Sequence, residues 1–182
     1  MEENSKSNNL VDAVIEHYNR KYNVELKNRI LVNEELSFLN EEWITANLTK
    51  EKTEEHKKIL KYSDMLIDEL KKADIVIFGC PMYNFGISST LKLYIDLICR
   101  SGLTFEYTEN GLSGLLKNKK SVICTTSGAI NSGNPVDFVY NYMNQVCNFI
   151  GIDDCTLIDG NEILNKSKEA WLSHVNNQIQ KL

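Results

Sequence analysis

The 182-residue sequence lacks the features that would direct it into or across a membrane. It contains no run of about 18 apolar residues, the length that a membrane-spanning helix needs. Its first residues, MEENS, have neither the basic start nor the apolar stretch of a signal peptide. We therefore expect a cytoplasmic protein with no membrane partner.

Positive charge is also in deficit, because the formal net charge is -5 and the pI is about 5.3. A mildly acidic surface argues against a general affinity for nucleic acid. It does not exclude an anionic ligand, because local backbone dipoles can outweigh the net charge.

Cysteine pairs with metal or redox spacing are missing as well. The five cysteines are Cys80, Cys99, Cys124, Cys147 and Cys155. Their number is odd and their positions are scattered, so we interpret them as reduced residues in or near the core. No metal site is predicted.

Proline and glycine are scarce, with two and nine copies, and no stretch resembles a linker. The composition is that of a globular chain, with 42% hydrophobic and 25% charged residues. The simplest interpretation is one domain over residues 1–182.

Hydrophobic periodicity predicts helices alternating with strands. We expect helices over 10–22, 48–72, 88–100, 136–150 and 166–182, and strands over 24–32, 73–80, 121–125 and 155–158. This alternation indicates an α/β fold with a parallel sheet. Ligands of such sheets bind at the carboxyl ends of the strands, which selects the loops after Cys80 and Thr125.

The first loop carries an unusual mixture of side chains. After Pro81, two aromatics and a thioether, Met82, Tyr83 and Phe85, can pack beside a flat, partly apolar ring. Asn84 can donate and accept hydrogen bonds at the polar edge of such a ring. The alternative is a turn whose aromatics are buried in the core.

Two further segments are candidates on weaker grounds. Thr126, Ser127, Gly128 and Ala129 follow a buried strand, where small residues allow a ligand to approach the backbone. Ser5, Lys6 and Ser7 precede a helix, whose start can bind phosphate. An ordinary polar turn and an ordinary helix cap are the respective alternatives.

The combination of motifs resembles the FMN-dependent NADH-azoreductase and NAD(P)H quinone oxidoreductase family. The resemblance covers roughly residues 5–182 and is densest from 73 to 160. The motifs that carry it are DIV at 74–76, PMYNF at 81–85, LKLYID at 91–96, GLTFEYTENG at 102–111, GLL at 114–116, KK at 119–120 and FIGI at 149–152.

The resemblance implies a flavodoxin-like three-layer fold that binds FMN, and a homodimer. It implies a two-step reaction in which NADH or NADPH reduces the flavin and a quinone or azo acceptor then takes the electrons. Pro81, Met82, Tyr83, Asn84 and Phe85 would hold the flavin ring, Thr126, Ser127, Gly128 and Ala129 would form a second flavin loop, and Ser5, Lys6 and Ser7 would bind the phosphate. No catalytic side chain is implied, because the flavin carries out the hydride chemistry.

The sequence departs from the family pattern in two places. In the family the second loop commonly reads Ser-Arg-Gly-Gly, so Ser127 replaces a fixed cation, and Ala129 is tolerable only if its position does not require a backbone conformation that glycine alone adopts. Family members also begin with an apolar strand and a serine loop, whereas this chain begins inside that loop. The resemblance therefore implies that the first, central strand is missing.

Two other functions compete with the reductase. A degenerate, flavin-free homologue would act as a binding or interaction protein. A flavodoxin-type electron carrier would bind FMN without steady turnover of NADH, but the segment around Tyr107, Thr108 and Glu109 matches the reductases instead.

Overall fold

The computed structural model describes residues 5–161 and 166–182. In chain order its elements are α1 (Lys6–Lys21), α2 (Glu41–Leu48), α3 (Glu54–Lys72), β1 (Ile75–Pro81), α4 (Ser89–Ile98), β2 (Phe105–Thr108), β3 (Gly111–Gly114), β4 (Lys120–Thr126), α5 (Tyr140–Ile150), β5 (Asp154–Asp159) and α6 (Lys168–Ile179). No helix in these ranges has the length and apolar character needed to cross a bilayer.

The main sheet is parallel and has the strand order β1-β4-β5. Pro81 at the end of β1 pairs in register with Thr126 at the end of β4, and Thr125 pairs with Asp159 of β5. All three strands therefore end at one edge of the sheet. The predicted α/β class with a parallel sheet is confirmed.

The helices cover both faces of this sheet, which gives three layers. The middle strand β4 is buried from Ser121 to Thr126. Its side chains alternate between two hydrophobic cores on opposite faces of the sheet. Val122 and Cys124 pack with residues of α1 and α6 in the smaller core. Ile123 points the other way, into the larger core. A strand covered on both faces explains the continuous apolar run in the sequence.

Most helices begin at a capping side chain that the sequence displays. Ser5, Thr53, Ser88 and Ser167 accept hydrogen bonds from backbone N–H groups in the first turns of α1, α3, α4 and α6. Such caps satisfy N–H groups that have no helical partner.

The strand predicted over 24–32 is wrong. A short 3₁₀-helix, Leu31–Asn33, lies there, and the residues before it form no ladder. Side chains hold this segment instead, since Arg29 donates to both carboxylate oxygens of Glu69 on α3, at 2.6 and 2.7 Å. Strand structure requires a neighbouring strand to pair with, and none in the described ranges lies beside this segment.

The outer edge of β1 is unpaired within the described part of the chain. Lys120 N donates to Asp74 O and Met82 N donates to Thr126 O, so the even-numbered residues of β1 face β4. The backbone groups of Ile75, Ile77 and Gly79 therefore face the open edge.

The sequence analysis needs correction at three further places. The helix predicted over 48–72 begins only at Glu54, and a separate helix over 41–48 precedes it. The helix predicted from 136 begins at Tyr140, because the Asp137 side chain accepts hydrogen bonds from the N–H groups of Val139 and Tyr140 and so ends the preceding loop. The β2–β3 hairpin was not predicted at all.

Candidate functional site

The candidate site lies where β1 and β4 end. The hydrogen bond from Met82 N to Thr126 O, 2.8 Å long, joins the two loops selected from the sequence. The start of α1 lies beside the second half of β1, three residues before Met82, because a Cβ built on Gly79 would stand 3.9 Å from Ser7 O. The structure thus brings all three predicted segments to one edge of the sheet.

The first loop contains a tight turn. Tyr83 and Gly86 exchange two backbone hydrogen bonds, of 2.9 and 3.1 Å. The two residues between them, Asn84 and Phe85, have positive φ angles of 49° and 71°. Asparagine tolerates this left-handed conformation, whereas a bulky aromatic rarely adopts it. Such a strained residue is a mark of functional loops.

The aromatics of this turn are exposed, with 61% of Tyr83 and 52% of Phe85 accessible. The alternative that places them in the core is therefore wrong. The N–H groups of Asn84 and Phe85 meet no acceptor among residues 5–161 and 166–182, while those of Tyr83 and Gly86 are paired. The turn presents two aromatic faces, an amide side chain and two backbone donors to a ligand.

The second loop is more closed than its sequence indicates. Ser127 is 6% exposed, and its hydroxyl accepts from Ile130 N at 3.1 Å and donates to Ile130 O. Its oxygen is thus engaged within the loop. Gly128 and Ala129 are the exposed residues. Ala129 does not have a positive φ, so its backbone conformation does not require glycine.

The start of α1 offers oxygen and nitrogen donors together. The hydroxyls of Ser5 and Ser7 lie 3.1 Å apart, and Ser5 caps the helix through Asn8 N. The first turn contains no acidic side chain. Because the helix dipole places positive charge at this end, the segment is suited to an anion.

Sequence reasoning missed the residues that fix these loops to one another. Phe138 N donates to Phe85 O at 3.2 Å, which ties the second loop to the turn. Asn161, 1% exposed, donates from Nδ2 to Ser132 Oγ at 2.8 Å. Asn161 follows β5, so the rule that selected the first two loops would also have selected this third one.

Cys80 stands at the end of β1 but is fully buried. Burial raises the pKa of its thiol well above the ordinary value, so the neutral thiol is maintained. A neutral, buried thiol is a poor nucleophile, and Cys80 is therefore a core residue. All five cysteines are free.

Elsewhere in the described ranges the structure offers no competing centre. No group of three His, Cys, Asp or Glu side chains there is placed to hold a metal ion. A surface depression of about 400 Å³ lies on α3, and none of its lining residues belongs to either loop. Its lining is Met65 with six charged side chains, Lys57, Lys61, Asp64, Asp68, Glu69 and Lys72.

Comparison with known proteins places the chain among flavin enzymes. A family model described as a flavodoxin-like fold matches residues 1–182. The FMN-dependent NADH:quinone oxidoreductase 1 of Colwellia psychrerythraea is 39% identical over 180 residues, which are 98% of this chain and 93% of that protein. The FMN-dependent NADH:quinone oxidoreductase of Francisella philomiragia is 38% identical over 100% of this chain and 93% of its own length. The crystal structure of an azoreductase from Bacillus anthracis superposes with a TM-score of 0.89 at 25% identity, covering 100% of this chain and 92% of that one.

Proposed function

Because the chain belongs to the flavodoxin-like family of FMN-dependent NADH:quinone oxidoreductases, we propose that it transfers electrons from NADH, or from NADPH, to a quinone or azo acceptor. Bound FMN supplies the hydride and electron chemistry. The protein contributes the orientation of the ring, the phosphate anchor and access for the second substrate. We further propose that residues 1–182 form one such domain, located in the cytoplasm.

One observation carries this proposal, namely the meeting of three separate segments at the carboxyl edge of the sheet. Met82, which precedes the turn at 83–86, donates to Thr126, and the first turn of α1 lies beside Gly79 in the second half of β1. A flavin mononucleotide needs a flat apolar contact, amide-type partners at the ring edge and an anion site at the other end. The residues at this edge of the sheet offer an aromatic surface, an amide side chain and a helix start suited to an anion.

The ring end of the site is assigned to residues 81–85. Pro81 ends β1, and Met82 is half-buried against the larger core. The side chains of Tyr83 and Phe85 supply exposed aromatic faces, and Asn84 supplies an amide. Because the ring itself reacts, these residues bind and orient it and exclude water, and none is required to move a proton.

The second loop and the start of α1 complete the assignment. Thr126, Gly128 and Ala129 would bring backbone close to the ring and the ribityl chain, while Ser127 holds the loop closed through Ile130. Ser5, Lys6 and Ser7 would bind the phosphate through hydroxyls, backbone N–H groups and an ammonium. We expect a two-step exchange, in which the donor and the acceptor use the site in turn.

The proposed activity is tested by following NADH oxidation by the purified protein with a soluble quinone and with an azo dye. The protein should be yellow and should show parallel lines in double-reciprocal plots, as a two-step exchange requires. A colourless protein that neither retains added FMN nor oxidises NADH would support the flavin-free binding protein instead. Retention of FMN without turnover would support an electron carrier.

We also propose a homodimer in which the β2–β3 hairpin takes part. Tyr107 and Leu112 face each other across the hairpin and are 75% and 57% exposed, a combination that is typical of interfaces. Phe105, the other aromatic of the hairpin, is buried against Phe149, with ring centroids 4.3 Å apart, and so is not part of this exposed surface.

Light scattering tests the dimer. The mass should be twice the 20.8 kDa of one chain at micromolar concentration, and Tyr107→Asp should lower it. Exposed Phe38→Asp, remote from the hairpin in sequence, serves as a matched control. A wild-type mass equal to one chain would rule out the dimer.

A further inference from the structure

Lys6, the first residue of α1, lies over an aromatic ring. Its ammonium is 5.5 Å from the centroid of the Trp171 ring. This distance lies within the roughly 6 Å at which cation–π attraction acts. Trp171 belongs to the first part of α6 and is 6% exposed, whereas Lys6 is exposed. The contact therefore joins the start of α1 to a buried side chain of another helix.

The indole that meets Lys6 is fixed in place. Trp171 Nε1 donates to Gly160 O at 2.9 Å, and Gly160 N donates to Thr125 O at 2.9 Å. A Cβ built on Gly160 would stand 2.5 Å from Leu10 Cδ1, so this loop presses directly on α1. The ring face thus has a defined position relative to both α1 and the end of β4.

Lys6 places a positive charge at the N-terminus of α1, where helices ordinarily prefer negative charge. A cation in the first turn repels the positive end of the helix dipole. The first turn of α1 contains no acidic side chain, and Lys6 forms no ion pair with any residue of the described ranges. An aromatic face holds the ammonium without neutralising it, whereas a carboxylate would neutralise it and repel a phosphate.

We propose that Trp171 is a positioning residue for the phosphate end of the flavin site. Its indole holds the Lys6 ammonium, still carrying its full charge, beside the first turn of α1, where the charge serves the phosphate of the cofactor. This inference rests on the proposed function, because it assumes that the flavin phosphate lies at the start of α1. Trp171 belongs to α6 and lies outside the three segments selected from the sequence.

The test compares the affinities for FMN and for riboflavin, which lacks only the phosphate. Both are titrated by flavin fluorescence into flavin-free wild type, Lys6→Gln, Trp171→Leu, Trp171→Phe and the double variant Lys6→Gln/Trp171→Leu. The measured quantity is the ratio of the two affinities, in which a general loss of stability cancels. Trp43→Phe, at the other tryptophan of the chain, is the matched control.

Lys6→Gln and Trp171→Leu should each lower the FMN-to-riboflavin ratio by about two- to fivefold, the factor expected for one such contact. Trp171→Phe keeps an aromatic face and should lie between Trp171→Leu and wild type. In the Lys6→Gln background Trp171→Leu should change the ratio no further. Trp43→Phe should leave the ratio at its wild-type value.

Two results would overturn the positioning role. A wild-type ratio in Trp171→Leu would show that the indole does not act on the phosphate, and an equal effect of Trp171→Leu with and without Lys6 would show that it does not act through the ammonium. A wild type that binds neither flavin would overturn the proposed function itself. If Trp171→Leu does not fold, as judged by its melting curve, a wild-type ratio in Lys6→Gln would overturn the positioning role instead.

Discussion

Phe85 should be a residue at which glycine is more stable than alanine. Its φ of 71° lies in the left-handed region, which costs a residue with a side chain roughly 1–2 kcal/mol. Glycine adopts that region without this cost. Because 52% of Phe85 is exposed, both Phe85→Gly and Phe85→Ala lose the same half-buried ring, which contributes about 1 kcal/mol.

The two substitutions therefore differ mainly in backbone strain. Phe85→Ala keeps the strain and loses the ring, so its free energy of unfolding should fall by about 1 kcal/mol. Phe85→Gly loses the ring and releases the strain, so it should remain within about 1 kcal/mol of wild type and exceed Phe85→Ala by a similar amount. Both should bind FMN more weakly, because the aromatic face is gone.

Urea unfolding of the flavin-free proteins gives the stabilities, and a fluorescence titration gives the FMN affinities. If Phe85→Ala is as stable as Phe85→Gly, the backbone of the turn is not strained. If both variants bind FMN as tightly as wild type, Phe85 does not contact the cofactor. The stabilities therefore test the backbone strain at Phe85, and the affinities separately test its contact with FMN.

Three more outcomes are expected. Asn84→Gly preserves the left-handed backbone but removes the amide, so it should weaken FMN binding by about 1–3 kcal/mol with little change in melting temperature, and unchanged affinity would exclude Asn84 from the site. The hydrogen bond from Arg29 lowers the pKa of the Glu69 carboxyl below its ordinary value. Glu69→Gln should therefore be less stable than wild type near pH 7, and the difference should disappear as the pH falls through that lowered pKa, whereas a difference independent of pH would contradict this. In amide hydrogen exchange, Val76 should be better protected than Ile77, whose N–H faces the open edge, and equal protection would mean that the edge is covered.

The sequence predicts the parallel sheet well because strands β1 and β4 each have a continuous apolar centre. These centres are IVIF at 75–78 and VIC at 122–124, and the ends of the two strands select the loops of the site. The helix caps Ser5 and Ser88 can also be predicted, since a serine before a stretch with helical periodicity commonly caps the helix.

The failures have equally specific causes. Alternating Val24 and Leu26 resemble a strand, but a strand exists only when a neighbour completes its ladder, and the segment is held by Arg29 instead. The start of α5 was misplaced because Pro135 suggests a first helical turn, whereas the buried carboxylate of Asp137 ends the loop two residues later.

Within the site, the sequence identifies the residues but not the hydrogen bonds that they form. The hydroxyl of Ser127 could bind a ligand as far as the sequence shows, but it forms hydrogen bonds with the backbone of Ile130. The bond between Asn161 and Ser132 joins residues 29 positions apart, and no local pattern announces such a contact. The positive φ of Phe85 could not be predicted either, because the usual residue after asparagine in such a turn is glycine and not a bulky aromatic.

The central claim is that this chain holds FMN at the carboxyl edge of β1 and β4 and uses it to pass electrons between two substrates in turn. The most direct measurement is anaerobic mixing of the FMN-loaded protein with NADH alone, followed by addition of a quinone. The visible absorption of the bound flavin should disappear with NADH and return with the quinone, with no need for both substrates to be present together. A bound flavin that stays oxidised until NADH and quinone are both added, or a protein that releases all of its FMN on gel filtration, would contradict the account.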